Sequence, residues 1–305
     1  MDISIIIPVY NEQDNVSLLH SELKKVLNSI KKSYEMIFVD DGSNDNTLKR
    51  LEELNRKDKR IRVVSFARNF GKASALMAGF KESKGSIIFT MDGDLQDDPK
   101  EIPNFIKKIG EGYDLVNGWK FVRHDPLGKT MPSKFFNFLT RKITGVNVHD
   151  SNCGFKAYKR QVIQNIKIHG ELHRYIPSIV RWKGFRVGEI KVEHHPRRYG
   201  KSKYGVERLM KGFLDLITVR FITKYTRRPL HFFGPIGILS ILLGFIAGAY
   251  LTWQWFTIGG IGNRPMLFLS VLLIVVGVQF ISLGLLGEMI ANMNPKEDYV
   301  IKKKL

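Results

Sequence analysis

Two long uncharged segments near the carboxyl end constrain the fold of this chain more than any other feature. They run from Phe232 to Trp255 and from Met266 to Gly287, and neither contains Asp, Glu, Lys or Arg. Each exceeds the roughly 20 apolar residues that an α-helix needs to cross a bilayer. Buried helices of a soluble core are the alternative, but uncharged runs of this length are rare there. The segments therefore predict a transmembrane hairpin within residues 231–290.

Charged residues around the hairpin predict its orientation. Lys and Arg lie at the outer ends of both segments, in KYTRRPLH (224–231) and in the basic tail 291–305. Because basic residues favour the cytoplasmic side, we expect both termini and the soluble part of the chain in the cytoplasm, at the inner or plasma membrane of a prokaryote. The single cysteine, Cys153, is consistent with a reducing compartment.

The net charge narrows the range of partners. A formal charge of +19 indicates an anionic partner, such as membrane lipids, phosphorylated substrates or nucleic acid. The sequence lacks helix-turn-helix, zinc and RNP signatures, and its basic residues are dispersed rather than interleaved with aromatic residues. We therefore expect membrane lipids, but no nucleic acid, among the partners.

Residues 1–205 alternate apolar, β-branched runs with amphipathic helix-like segments. Strands that alternate with helices predict an α/β domain with a mainly parallel, Rossmann-like sheet. Ligands of such sheets bind beyond the carboxyl ends of the strands, where this sequence concentrates its polar residues. Residues 206–230 comprise an amphipathic helix and a basic linker. This helix lies either in the membrane interface or against the soluble domain.

One strand-like run ends in a cluster of acids. SIIFTMDGDLQDDP (86–99) places four aspartates within seven positions. Neighbouring carboxylates repel each other unless a cation joins them, and Mg²⁺ or Mn²⁺ prefers such oxygen ligands. The alternative is a solvated loop. Asp97 and Asp98, followed by Pro99, are typical of a helix start.

Four segments in this order resemble the family 2 glycosyltransferases of GT-A fold. They are IIIPVYNE (5–12), FVDDGSNDNT (38–47), ARNFGKASAL (67–76) and MDGDLQDDP (91–99). The resemblance implies a metal site and a nucleotide site. The implied metal residues are Asp92, Asp94 and Gln96, with Asp92 contacting either the metal or the ribose. The implied nucleotide residues are Pro8, Tyr10, Glu12, Asp40 and Asp41, with Arg68 and Lys72 at the diphosphate. Turn and cap chemistry is the alternative for Pro8 and Asp40.

The second half resembles the polyprenyl-phosphate sugar transferases, a group that includes dolichol-phosphate mannose synthase and the bactoprenol glucosyltransferases. HDSNCGFKAYKR (149–160) and RRYGKSKYG (197–205) carry this resemblance, together with the hairpin. It implies that the lipid phosphate is held by Lys120, Ser133 and Lys134. It also implies a loop that closes over both phosphates, with Arg198, Ser202 and Lys203. Asp150 would be a general base or, as we favour, a structural anchor, and Cys153 a small buried residue.

The implied reaction is an inverting, metal-dependent transfer of a sugar from a UDP- or GDP-linked donor to an undecaprenyl- or dolichyl-type phosphate. A phosphate monoester is already an anion at neutral pH, so this acceptor needs alignment rather than a base. One alternative is a processive polysaccharide synthase, but SIVRW (178–182) has Ser178 where that class has Gln. Another is an inactive nucleotide-binding membrane scaffold. Gly244 and Gly248 permit close helix contact, and hence a homo-oligomer.

Overall fold

The structure is a computed structural model with two compact units. It describes residues 1–121, 140–142, 144–196, 207–226, 228–259 and 265–293, without the side chains of 207–214 and 222. One unit comprises the described residues from Met1 to Val219, and the other begins at Arg220. The domain boundaries expected at 205, 230 and 290 stay predictions.

The first unit is built on a seven-stranded sheet of order β3-β2-β1-β4-β6-β5-β7. The strands are β1 (Ile3–Val9), β2 (Tyr34–Asp40), β3 (Ile61–Ser65), β4 (Ile87–Thr90), β5 (Leu115–Lys120), β6 (Lys156–Lys159) and β7 (Val187–Val192). Only β6 runs against its neighbours, β4 and β5, within the described sheet. The predicted α/β fold with a mainly parallel sheet is confirmed.

Helices cover this sheet. They are α1 (Val16–Ser29), α2 (Thr47–Lys57), α3 (Lys72–Glu82), α4 (Ile102–Gly110), α5 (Arg160–Asn165) and α6 (Ile176–Trp182), with short 3-10 turns at Pro99–Glu101 and Leu172–Tyr175. Nearly continuous apolar strands produce this arrangement because a strand buried on both faces cannot alternate with polar residues. In β1 every residue except Pro8 is buried.

Strand register places the polar strand ends side by side. Asp40, the last residue of β2, lies opposite Val9 of β1 and Ser65 of β3. The loop that begins at Met91 follows β4, which is parallel to β1. Since these strands run in one direction, the predicted site residues that follow them share one edge of the sheet.

A buried carboxylate ties α1 to the turn before β3. Asp58 is 6% exposed. It accepts hydrogen bonds from Arg60 Nε at 2.9 Å and Nη2 at 2.8 Å, and Lys24 Nζ lies 3.0 Å away. Hydrogen bonding by the Arg60 guanidinium holds the pKa of the Asp58 carboxyl well below its usual range.

Replacing Asp58 by asparagine should lower the free energy of unfolding by about 1 to 3 kcal/mol, because the ion pairs and one acceptor are lost. Since the folded pKa is depressed, this stabilisation is present above the ordinary aspartate pKa of about 4 and is lost as the pH falls below it. Thermal melting in detergent should show a lower Tm for the variant at pH 7 and a smaller difference in acid. Equal Tm values at pH 7 would contradict this expectation, and Glu52→Gln on exposed α2 is the control.

The helix predicted before the hairpin is α7 (Glu207–Lys224). The side chains of its first eight residues lie outside the described part of the structure. The choice between membrane interface and soluble domain for this helix therefore stays open.

The second unit contains two helices, α8 (Leu230–Ile258) and α9 (Pro265–Met293), which are long and apolar enough to cross a membrane. Much of their surface is exposed apolar side chain, including Phe245, Phe256 and Phe268 at 62%, 75% and 78% exposure. Buried helices of a soluble core would not leave such residues uncovered, so the predicted hairpin is supported.

Glycines let α8 and α9 pack backbone to backbone. A Cβ atom built on Gly237 would lie 2.7 Å from the Gly277 carbonyl oxygen, and one on Gly244 would lie 2.8 Å from the Ser270 carbonyl oxygen. Ser270 Oγ also donates to the Gly244 carbonyl at 2.8 Å. The small-residue motif that starts at Gly244 therefore serves contact within the hairpin. A homo-oligomer stays a prediction.

Candidate functional site

An ion pair lies at the carboxyl end of β4. Lys72, the first residue of α3, pairs through Nζ with the carboxylate of Asp92 in the loop after β4. Both side chains reach solvent, with exposures of 24% and 29%. Burial opposes ionisation of Asp92, but the ammonium groups of Lys72 and Lys120 outweigh it and hold the pKa of this carboxyl below its usual range. Asp92 is therefore an anion with a lysine fixed beside it.

Gly154 supports Asp92 from the other side. It precedes β6, and its carbonyl accepts a hydrogen bond from Thr90 Oγ1 at 2.8 Å. A Cβ atom at position 154 would lie 2.5 Å from Asp92 Oδ2 and 2.6 Å from its Cγ. Only a glycine leaves the carboxylate in this place.

Two further lysines lie near this carboxylate. Lys120, at the end of β5, has Nζ 3.5 Å from Asp97 Oδ1 and is 16% exposed. Burial opposes its charge, but Asp97 and neighbouring acids raise the pKa of Lys120, so it stays an ammonium. Lys156 is 3% exposed and donates to the Cys153 carbonyl. Burial lowers the pKa of Lys156 to about 8. None of the sequence motifs pointed to Lys156 as a site residue, although a lysine between the apolar residues of GFKAY is a detectable signal.

Asp97 and Asp98, both predicted to start a helix, have different roles in the structure. Asp98 Oδ1 accepts from Lys100 N at 2.9 Å, which confirms its role at a helix start. For Asp97 that prediction is wrong, because its carboxylate faces Lys120 and its backbone bridges to His194. Burying an unpaired carboxylate is costly, so Asp97 is stabilised more by the nearby Lys120 ammonium than it would be by a helix terminus.

Asp94 and Gln96 lie beside a group of possible metal ligands. Gln96 N donates to Asp94 Oδ1 at 3.3 Å, and the Gln96 carbonyl accepts from His195 N at 2.8 Å. Asp98, Glu193 and His195 each offer one ligand atom, and these atoms lie within 4.8 Å of one another. Two carboxylate oxygens and an imidazole nitrogen fit a divalent cation. Glu193 and His195 were not among the predicted metal residues, although the segment VEHHP (192–196) groups an acid with two histidines, as metal-binding segments do.

The acids at the end of β2, Asp40 and Asp41, connect the loop that follows this strand to the end of β3 and the chain that follows it. Asp40 accepts from Ser43 N at 3.1 Å and from Ser65 Oγ at 2.9 Å. Asp41 accepts from Phe70 N at 2.7 Å and from Gly71 N at 3.0 Å. Burial raises the pKa of the Asp41 carboxyl. The cap chemistry considered for Asp40 is therefore present, and nucleotide contacts of both acids stay predictions.

The other predicted nucleotide residues lie along the same edge. Pro8 is in β1, and Tyr10 follows that strand directly. Glu12 Oε2 accepts from Asn15 Nδ2 at 2.6 Å. Arg68 is exposed, and its guanidinium lies 4.5 Å from the centre of the Phe70 ring. These four residues thus lie along the edge that carries Asp92, and their nucleotide contacts stay predictions.

Asp150 is 2% exposed and lies in a loop anchored by its backbone. Its carbonyl accepts from Asn117 Nδ2 at 2.9 Å, and its N–H donates to Glu189 Oε1 at 3.2 Å. These contacts agree with an anchor, though they leave the base role untested. Cys153 is 1% exposed, and burial raises the pKa of its thiol to about 12, which confirms a buried, inert cysteine.

Five of the predicted acceptor-site residues lie outside the described residues: Ser133, Lys134, Arg198, Ser202 and Lys203. Of the predicted acceptor group, the described part of the chain contains Lys120 alone.

Comparison with family models gives two matches. The model of Glycosyl transferase family 2 matches residues 4–167, and the model of the GtrB C-terminal hairpin matches residues 228–293. The first match runs from β1 to just beyond α5, and the second spans α8 and α9 in full.

Curated proteins are similar over almost the whole chain. The dodecaprenyl-phosphate galacturonate synthase of Rhizobium johnstonii is 38% identical, covering 99% of this chain and 93% of that protein. The undecaprenyl-phosphate 4-deoxy-4-formamido-L-arabinose transferase of Proteus mirabilis is 34% identical, covering 95% of this chain and 89% of that protein.

Solved structures support the fold. Glucosyl-3-phosphoglycerate synthase from Mycobacterium tuberculosis superposes with a TM-score of 0.55 at 18% identity, covering 73% of this chain and 79% of that chain. The same enzyme has been solved with Mn²⁺, UDP and its product, with a TM-score of 0.54. The sheet therefore has the GT-A-like arrangement.

Proposed function

The chain belongs to glycosyl transferase family 2, and from this membership we propose that it transfers a sugar from a nucleotide-sugar to a membrane polyprenyl phosphate, giving a polyprenyl-phosphate sugar. The donor is UDP- or GDP-linked, and the reaction inverts the anomeric configuration with the help of a divalent cation. Relatives named for dodecaprenyl- and undecaprenyl-phosphate support the acceptor class, because they align with this chain from the sheet through the hairpin.

The observation that carries the proposal is the grouping of Lys72, Lys120 and Lys156 around Asp92 at the sheet edge. Transfer from a nucleoside diphosphate to a phosphate brings two anionic groups together. Their mutual repulsion must be offset by fixed positive charge. Lysines held by carboxylates and by the strand framework supply that charge without reorganising during the reaction.

On the donor side, Lys72 faces the diphosphate, and the ion pair with Asp92 holds the Lys72 side chain in its orientation. A divalent cation, held either by Asp94 or by the group Asp98, Glu193 and His195, would neutralise the departing nucleoside diphosphate. The Mn²⁺ complex of the mycobacterial enzyme supports this class of cofactor. Carboxylate oxygens suit both Mg²⁺ and Mn²⁺, whereas the imidazole of His195 suits Mn²⁺ better than the oxygen-preferring Mg²⁺.

On the acceptor side, Lys120 aligns the lipid phosphate for attack on the anomeric carbon. A phosphate monoester is already ionised at neutral pH, so alignment dominates the rate and Asp150 acts as an anchor. The hairpin keeps the catalytic unit at the membrane that holds the isoprenoid. The basic segment 224–231 supports a cytoplasmic position for that unit.

The test is a transfer assay on membranes that contain the full chain. Membranes are incubated with labelled UDP- and GDP-sugars and Mg²⁺ or Mn²⁺, with and without chelator. We expect one donor to give label in a solvent-extractable lipid that mild acid cleaves, and chelator to abolish it. Label that appears only in polymer, or in no lipid with any donor, would refute the proposal. Membranes from cells without the chain are the control.

A further inference from the structure

The 3-10 turn Leu172–Tyr175 places a histidine beside the donor site. The turn packs against α3, the helix that begins with Lys72. Lys72, Arg174, Lys156 and Asp92 supply the charges that act on His173. His173 therefore lies close to the lysine–aspartate pair, although no motif used in the sequence analysis includes it.

One ring nitrogen of His173 lacks a hydrogen-bond partner in the described part of the chain. Its Nδ1 atom is enclosed, yet it makes no hydrogen bond within the described residues. Buried polar groups in folded proteins are nearly always hydrogen-bonded, so such an atom needs an explanation. The Nε of Arg174, the next residue, is likewise buried without a hydrogen bond to any described residue. The turn thus has two buried nitrogens, His173 Nδ1 and Arg174 Nε, that make no hydrogen bond to a described residue, and it lies near the sheet edge that carries Asp92.

Charge decides which ligand suits this imidazole. Burial and the ammonium groups of Lys72 and Lys156 hold the pKa of His173 well below its ordinary value, so the ring is neutral. A neutral imidazole adds no charge for binding phosphate, which lysines already serve. It can donate or accept one hydrogen bond, as a sugar hydroxyl can.

We infer that His173 binds a hydroxyl group of the sugar being transferred and so contributes to the choice of donor. The inference rests on the proposed function, because the sugar must be attached to the diphosphate held near Lys72. A hydrogen bond to a buried group discriminates strongly between sugars. A nucleotide-sugar that lacks the matching hydroxyl leaves the His173 imidazole without a hydrogen-bond partner.

The test compares binding of the intact donor with binding of its nucleoside diphosphate. For the donor used by the wild-type protein, His173→Phe should weaken nucleotide-sugar binding and lower kcat/KM by about tenfold or more. Affinity for the free nucleoside diphosphate should change by less than about threefold, because the phosphate and base contacts remain. His173→Gln keeps a hydrogen-bonding group and should recover part of the loss.

Exposed His169, four residues earlier, provides the matched control, and His169→Phe should behave as wild type. Equal losses for the nucleotide-sugar and the nucleoside diphosphate would overturn the inference, as would a His173→Phe variant with wild-type kcat/KM. If His173→Phe has a much lower Tm than wild type, binding of the nucleotide-sugar and of the nucleoside diphosphate is compared between His173→Gln and His173→Asn instead. A wild-type protein that transfers no sugar would instead refute the proposed function.

Discussion

Replacing Asp94 by asparagine should reduce sugar transfer by about 10³-fold or more, which corresponds to about 4 kcal/mol of transition-state stabilisation. The substitution removes one negative charge and keeps the shape of the side chain. Asparagine also keeps an oxygen that can accept from Gln96 N, the contact that Asp94 makes at 3.3 Å. The loop should therefore keep its conformation while its affinity for a divalent cation falls.

The measurement is initial rate against Mn²⁺ and Mg²⁺ concentration for wild type, Asp94→Asn and Glu52→Gln. Glu52 is exposed on α2 and carries the same charge change away from the site. We expect Glu52→Gln to match wild type, and the Tm of Asp94→Asn to change little. Turnover of Asp94→Asn at the wild-type rate would remove the metal role from this residue.

A second substitution, Asp98→Asn, separates two places for the cation. If the ion depends on the group Asp98, Glu193 and His195, this variant should also require more metal for half-maximal rate. If Asp98 serves only as the cap that accepts from Lys100 N, its loss should lower Tm and leave the metal requirement unchanged. An inactive scaffold would show no transfer in any of these proteins.

The sheet could be predicted from sequence because its strands carry their own signal. Apolar runs that end in polar residues identify β1, β2 and β4 and the edge where their polar residues meet. The antiparallel strand β6 could not be predicted in this way. Its four residues include two lysines, and Lys156 is tolerated only because its ammonium reaches the Cys153 carbonyl.

Contacts between distant residues account for what the sequence left open in the site. The pairing of Lys72 with Asp92 joins positions that no local pattern connects, and the same holds for Lys120 with Asp97. A motif identifies residue types that bind metal or phosphate, but it does not indicate which acid already forms an ion pair with a lysine. For the same reason Gly244 could not be assigned to contact within the hairpin rather than between chains.

Replacing Gly154 by alanine should lower the transfer rate by about 10²-fold through displacement of a single carboxylate. The added Cβ would lie 2.5 Å from Asp92 Oδ2, and the three atoms nearest to it all belong to the Asp92 carboxylate. A carboxylate at the end of a side chain can turn away at little cost to folding. In turning, it would release Lys72, so the ammonium that we propose for the donor diphosphate would lose its fixed orientation.

Stability and coupling distinguish this mechanism from general damage. Gly110→Ala is the matched control, because a Cβ at Gly110 would meet no atom of a described residue within 4 Å. It should leave the rate unchanged and the Tm unchanged or slightly higher. Gly154→Ala should keep its Tm and add little to the loss caused by Asp92→Asn, since both act on one carboxylate. Losses that multiply in the double variant would show that Gly154 acts independently of Asp92. A multiplicative loss would contradict the expectation that the close approach of the main chain at residue 154 sets the position of the Asp92 carboxylate.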